Sequence, residues 1–171
     1  DGMSHRKDNI FTWITSEKSR DDVQILRAGF DAILTGGNTL RNDNPRMNAR
    51  VDFKVNQPQK ILLTSQEINK ELNFFKSGDV IIKRSSDLNK VISDLSDTEI
   101  NSILIEAGPN LVNAFLNNHL VDELIMYKSN ITLGEEGVSW FENKTIESFG
   151  FDLKSSLKII NDIKETYLKK S

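Results

Sequence analysis

DAILTGGNTL, residues 31–40, decides how the chain is built. Its opening, Asp31 to Thr35, is a short apolar run that stops at Gly36-Gly37 and passes into Asn38-Thr39. An apolar run of that length, closed by glycines, reads as a buried strand that turns into a helix. The stretch before it, Ser16 to Ala28, reads as a helix. Ser16 is placed to cap it, Glu17 and Asp21 lie near its positive end, Val23 and Leu26 are its inward positions, and Gly29 ends it.

Outward from this segment the same alternation continues. Lys60 to Thr64 (KILLT) and Val80 to Lys83 (VIIK) read as further buried strands. Between Ser86 and Leu95, the residues Leu88, Val91, Ile92 and Leu95 recur at the helical period. Ser102 to Ile105 (SILI) is another strand, running into Glu106-Ala107-Gly108-Pro109 and then a helix through Asn117. Pro109 suits the first turn of that helix, and Leu111, Val112 and Phe115 share a face. Leu124 to Tyr127 returns to strand. This order predicts an α/β fold, a mostly parallel sheet with helices on both faces, whose ligands gather at the carboxyl ends of the strands. The tail differs. Leu157 to Ile160 and Thr166 to Leu168 flank Asn161-Asp162 as a hairpin would, which makes the sheet mixed, while Asn143 to Ser156 reads as an irregular surface excursion.

Composition narrows the class of function. A chain of 171 residues with 37% hydrophobic content supports one core, so a single domain over residues 1–171 is expected. Its 22 basic and 25 acidic residues are spread throughout, leaving no basic stripe for nucleic acid or anionic lipid. A small-molecule substrate is favoured. Cysteine is absent, which excludes disulfides and thiolate zinc, and with two histidines no catalytic metal is expected. The chemistry then falls to a bound cofactor or to carboxylates. No apolar run approaches the roughly 20 residues of a membrane helix, and Asp1 to Asp8 is unlike a signal, so a soluble cytoplasmic protein is expected.

Two strand-to-helix turns carry glycine, Gly36-Gly37-Asn38-Thr39 and Gly108-Pro109-Asn110-Leu111. Backbone N–H groups and the helix dipole at such turns attract phosphate oxygens, and two turns together suit one pyrophosphate. Neither matches the G-x-G-x-x-G fingerprint, and a glycine there also serves as a tight turn. On spacing alone, Asp43-Asn44-Pro45 is a turn and Arg27 and Arg50 are surface charges.

A longer pattern binds these pieces together. Trp13-Ile14-Thr15-Ser16, the run Arg20 to Ala28, Asp31 to Gly36, Thr39, Asp43-Asn44-Pro45 and Arg50 resemble the reductase domain of the bacterial bifunctional riboflavin-biosynthesis deaminase-reductase. Ile105 to Pro109, Leu120 to Leu124 and Leu133-Gly134 continue the resemblance in the same order. It implies a three-layer dihydrofolate-reductase-like fold, a homodimer, and NADPH-dependent reduction of 5-amino-6-(5-phosphoribosylamino)uracil to its ribitylamino product, with hydride delivered to sugar C1'. By position it places Trp13, Gly36, Gly37, Thr39, Asp43, and the turn Gly108, Pro109, Asn110 and Leu111 against NADPH. Thr64 and Ser65 fall where the adenosine 2'-phosphate is received. Arg27, Met47, Arg50 and Glu106 face the substrate, a pyrimidine ribose phosphate, and Glu106 and Asp43 are the catalytic candidates.

The chemistry agrees with those assignments, since an arginine pair suits a sugar phosphate and a carboxylate at a buried strand end needs a partner. Phe11 stands where the family carries a serine that touches substrate. The family's opening strand and its zinc-binding deaminase half are expected to lie outside this chain. Two alternatives share the fold: the related diaminopyrimidinone-phosphate reductase and a non-catalytic nucleotide-binding relative.

Overall fold

Residues 1–8, 14–141 and 144–170 are described in a computed structural model of the chain. In order, the elements are β1 (Met3–Arg6), α1 (Glu17–Ala28), β2 (Ala32–Gly36), α2 (Gly37–Asp43), β3 (Gln59–Leu63), β4 (Val80–Lys83) and α3 (Leu88–Ser96). They continue with β5 (Ile103–Ile105), α4 (Pro109–Asn117), β6 (Glu123–Lys128), β7 (Gly137–Ser139), β8 (Phe151–Ile159) and β9 (Asp162–Lys169). Contacts group these residues into two units, Val23–Val112 and a second formed by Asp1–Asp22 with Asn113–Ser171.

The first unit is built on the apolar run of β2. Ala32, Ile33, Leu34 and Thr35 are all fully buried, as a strand covered on both faces must be. The sheet order is β4-β3-β2-β5 with every pairing parallel, Leu34 lying opposite Ile61 on one side and Ile105 on the other. Ile33, Leu40, Met47, Leu62 and Phe74 form the core on which Ile82 and Leu104 pack. Each such side chain contributes about 1.5–3 kcal/mol by leaving water. Leu40 anchors α2, which ends at Asn44 in the left-handed conformation with its amide donating to the Leu40 carbonyl at 3.1 Å. α3 starts on Asp87, whose carboxylate accepts from the Lys90 amide, and buries Leu88, Val91 and Leu95 as its periodicity requires.

α1 departs from its expected face. Val23 and Leu26 are only half-buried, whereas Ser19, Gln24 and Arg27 are buried. An apolar pattern does not reveal a polar inner face, which is stabilised by specific partners and not by transfer from water.

In the second unit, β9 lies between β6 and β8 in an antiparallel sheet, and β1 pairs with β7. The parallel and antiparallel strands therefore belong to separate hydrogen-bonded sheets. β8 begins at Phe151, so the expected irregular excursion is strand over its last residues. A bulge between Leu153 and Ser155 breaks the alternation, and Asp152 through Lys158 are exposed, which hides the strand from a period-two reading. The hairpin turn is Ile160-Asn161, with Ile160 at φ 55°, and Asp162 belongs to β9. Asp162 is buried; its carboxylate accepts from the Ser16 amide at 2.7 Å and the Ser19 hydroxyl at 2.6 Å. Asp22 likewise takes Tyr127 Oη at 2.5 Å and Lys164 Nζ at 2.6 Å, fastening α1 to β6 and β9. Among the described residues no helix is long and apolar enough to cross a membrane.

Candidate functional site

Because β2, β3 and β5 are parallel, their carboxyl ends fall on one edge of the sheet. The Glu106 amide still donates to the Leu34 carbonyl at 3.0 Å, so Glu106 sits beside the end of β2. A Cβ placed on Gly36 would stand 3.2 Å from Leu111 Cδ2, which shows that the two glycine turns adjoin. Gly37 is needed for another contact: a Cβ there would lie 2.7 Å from Thr64 Oγ1. Gly108 differs again. Among the described residues nothing lies within 4 Å of where its Cβ would be, and its carbonyl accepts from the Val112 amide at the start of α4. The opening turn of a helix has N–H groups without intrahelical partners.

An ion pair stands at this edge. Arg27 donates from Nε to Glu106 Oε2 at 2.8 Å and from an Nη to Oε1 at 2.5 Å. The same guanidinium meets the Asn48 carbonyl at 3.1 Å, Gln24 Oε1 at 3.4 Å and Met47 Sδ at 3.8 Å. Met47 is buried and left-handed at φ 54°, which turns the chain from α2 back beneath Arg27. Gln24 Oε1 also accepts from the Arg50 amide at 3.2 Å. Arg27, Met47, Arg50 and Glu106 thus lie in one cluster. Arg27, however, faces Glu106 rather than open space. The Arg50 side chain remains exposed, and its charged form is disfavoured first by burial, then by repulsion from Arg27 and Arg46, against the attraction of Glu106.

The remaining candidates divide. Thr39 is half-buried within α2 and Asp43 is exposed at its end, about 9 Å along the axis from Gly37. Asp43 and Glu106 therefore approach the edge from different elements. Thr64 Oγ1 is engaged with the Gln66 amide and carbonyl at 3.2 Å, whereas Ser65 is exposed. Pro109 and Asn110 open α4, with Leu111 against Gly36. Trp13 and Phe11 lie outside the described residues.

Sequence reasoning missed Gln24 and Asn48, which hold Arg27, and Arg84, which reaches the Gln66 carbonyl at 3.4 Å and Glu67 at 2.9 Å. The signal for Gln24 was its spacing, three residues before Arg27 on one helical face. Arg84 follows a strand end, as the other candidates do.

The chain matches the family described as the RibD C-terminal domain over residues 1–164. It is 30% identical over 174 residues to the riboflavin biosynthesis protein RibD of Mycobacterium tuberculosis, covering 92% of this chain and 51% of that protein. It spans about half the length of that relative. It is also 30% identical over 192 residues to the 5-amino-6-(5-phosphoribosylamino)uracil reductase of Buchnera aphidicola, covering 89% of this chain and 93% of that one. Among solved structures, Acinetobacter baumannii RibD superposes with a TM-score of 0.89 at 24% identity, over 99% of this chain and 55% of that chain. The fold is accordingly the dihydrofolate-reductase-like α/β fold.

Proposed function

The chain belongs to the RibD C-terminal domain family, and we propose that it reduces 5-amino-6-(5-phosphoribosylamino)uracil to the ribitylamino product with NADPH. The observation that carries this reading is the turn Glu106-Ala107-Gly108. It sets a carboxylate locked to Arg27 two residues from open space at a helix start. An acid that orients a substrate and a cradle for a pyrophosphate are thereby held on one rigid strand end. Gly36 against Leu111 brings the second glycine turn to the same place, and this arrangement fits a dinucleotide.

When bound, NADPH would supply the hydride for sugar C1', and Gly36, Gly37 and the turn from Gly108 to Leu111 would hold the cofactor. The protein's part is position and charge. Glu106 accepts hydrogen bonds from the sugar or the base. If the ribosylamine ring opens to a protonated imine before reduction, Glu106 would lie away from its nitrogen, because that nitrogen would lose its positive charge on taking hydride at C1' and a close carboxylate would favour the ground state. Arg27 holds the Glu106 carboxylate in place through two hydrogen bonds. Ser65 is exposed next to Gln66, whose carbonyl accepts from Arg84, and this supports its receiving the 2'-phosphate that distinguishes NADPH from NADH. The protein acts in the cytoplasm.

The test is NADPH oxidation measured with the uracil phosphate, the diaminopyrimidinone phosphate and dihydrofolate. Turnover of the first alone is expected. Turnover of the second in its place would move the enzyme to the related pyrimidinone reductases, and turnover of none would leave a nucleotide-binding relative.

A homodimer is part of the same proposal. β8 is the edge of its sheet, and Leu153 and Leu157 are 54% and 58% exposed on it. Antiparallel pairing of two copies about Ser155 would set Leu153 of one opposite Leu157 of the other and close the open edge. Light scattering should give twice the chain mass, and Leu157→Lys should return it to the mass of one chain.

A further inference from the structure

We propose that Lys60 is a positioning residue for the Arg27–Glu106 pair, acting through the segment Asn73–Ser77, which clamps the stretch of chain that meets Arg27. The proposal rests on the reductase reading for its kinetic consequence and on geometry alone for its structural one.

Lys60 is the second residue of β3 and is 3% exposed. A lysine buried in a parallel strand is costly unless its charge is engaged. Its ammonium donates to the Ser77 carbonyl at 2.7 Å, the Phe74 carbonyl at 2.8 Å and the Ser77 hydroxyl at 3.0 Å, and it stands 5.2 Å from the centre of the Phe74 ring. Three oxygens thus meet the three donors of an ammonium. Burial still pushes this group below the usual lysine range. A methionine would fill the same space without that cost, so the use of the charge lies in what it holds.

It holds a clamp. Asn73 opens a single helical turn, Asn73–Phe75, and its amide donates to Asn44 Oδ1 at 2.7 Å while its side chain donates to the Asn44 carbonyl at 3.3 Å. At the other end the Ser77 hydroxyl donates to Asn48 Oδ1 at 3.1 Å. The stretch Asn44–Asn48 is thereby gripped at both ends. Within it Asn44 and Met47 are left-handed, at φ 42° and 54°. Such backbone is unfavourable for residues other than glycine and persists where the surroundings impose it. This stretch presents Met47 Sδ and the Asn48 carbonyl to the Arg27 guanidinium, at 3.8 Å and 3.1 Å, and Arg27 in turn grips Glu106. Ser77 and Asn48 therefore carry the hold of Lys60 to Arg27.

Three variants test the chain of contacts. Lys60→Met keeps most of the side-chain length and removes its donors, and Lys60→Arg keeps charge and donors. Ser77→Ala cuts the link to Asn48 at an exposed position and leaves Lys60 in place. The first readout is hydrogen exchange at the Arg27 Nε–H resonance, assigned by its absence in Arg27→Lys and slowed by the bond to Glu106. Exchange should quicken about fivefold or more in Lys60→Met and in Ser77→Ala, as loss of a hydrogen bond allows, and Lys60→Arg should restore it. The second readout is kinetic. KM for 5-amino-6-(5-phosphoribosylamino)uracil should rise by a similar factor in the first two variants, with a smaller change in kcat and NADPH affinity unaltered. A lowered Tm in Lys60→Met with Arg27 exchange and KM unchanged in the folded protein would make Lys60 a packing residue and overturn the proposal. Unchanged Arg27 exchange in Ser77→Ala overturns it as well, and decides the question if Lys60→Met does not fold. Quickened exchange in both variants of a protein that oxidises NADPH with no pyrimidine phosphate keeps the positioning role and sinks only the reductase reading.

Discussion

Arg27 and Glu106 grip each other through two parallel hydrogen bonds, one residue coming from α1 and the other from the end of β5. The arginine side chain is 9% exposed and the carboxylate 32%. A pair of this geometry is directional, and removing either member strands the other.

Arg27→Ala, Glu106→Gln and the double variant should therefore be non-additive in urea unfolding. A coupling of about 1–3 kcal/mol is expected, at the lower end because Glu106 is partly solvated. In kinetics each single change should raise KM for the substrate, Arg27→Ala acting through a misaimed Glu106. Strictly additive losses would show that the two residues act independently. A normal KM with a lost kcat and an altered pH profile in Glu106→Gln would instead make Glu106 a general acid or base.

Two glycines of the candidate cofactor edge should respond in opposite ways to one methyl group. Gly37→Ala brings a Cβ 2.7 Å from Thr64 Oγ1, and the overpacking should cost about 1–3 kcal/mol of stability. Gly108→Ala enters open space, so stability should hold while NADPH binding weakens. An unchanged NADPH affinity in Gly108→Ala would remove this turn from the cofactor site.

Cofactor choice should reside at the end of β3. Fluorescence titration should show NADPH binding at least about tenfold more tightly than NADH, the gain from one charge-assisted contact. Ser65→Asp, which opposes a phosphate, should erase the difference, and Arg84→Ala should reduce it. Equal affinities in the parent protein would contradict the 2'-phosphate reading.

Stability should fall in acid through Asp162. Burial opposes its charge, yet hydrogen bonds from Ser19 and Ser16 outweigh it and hold the carboxyl below the usual aspartate range. A carboxylate whose folded pKa is depressed adds stability above its unfolded value, near 3.9, and loses it as pH falls through the folded value. Thermal unfolding from pH 6 down to pH 2 should drop less steeply in Asp162→Asn than in the parent. The variant should also be less stable at neutral pH by about 1–3 kcal/mol, because two donors lose a charged acceptor. Parallel pH curves would show that Asp162 contributes nothing to the acid limb.

Local pattern carried much of the first unit. The runs at Ala32, Lys60, Val80 and Ile103 are short, apolar and closed by turn residues, and each is a parallel strand within one residue or so of its expected limits. Pro109 opened its helix and Asp87 capped the one before it, because capping depends on residues a few positions apart. β8 was hidden, since a bulge and exposure on both faces remove the alternation that marks a strand.

Residue order thus determined the four strands of the parallel sheet and the helices that follow them, and resemblance to a family singled out Arg27, Met47, Arg50 and Glu106. The folded chain decided what those residues do to one another. Arg27 and Glu106 are 79 positions apart, as are few pairs that local spacing can relate. Only parallel pairing of β2 with β5 brings Glu106 beside the helix that carries Arg27, and only there does that arginine become engaged by a carboxylate. Partner choice among charges depends on distance in space and on burial, and the sequence states neither.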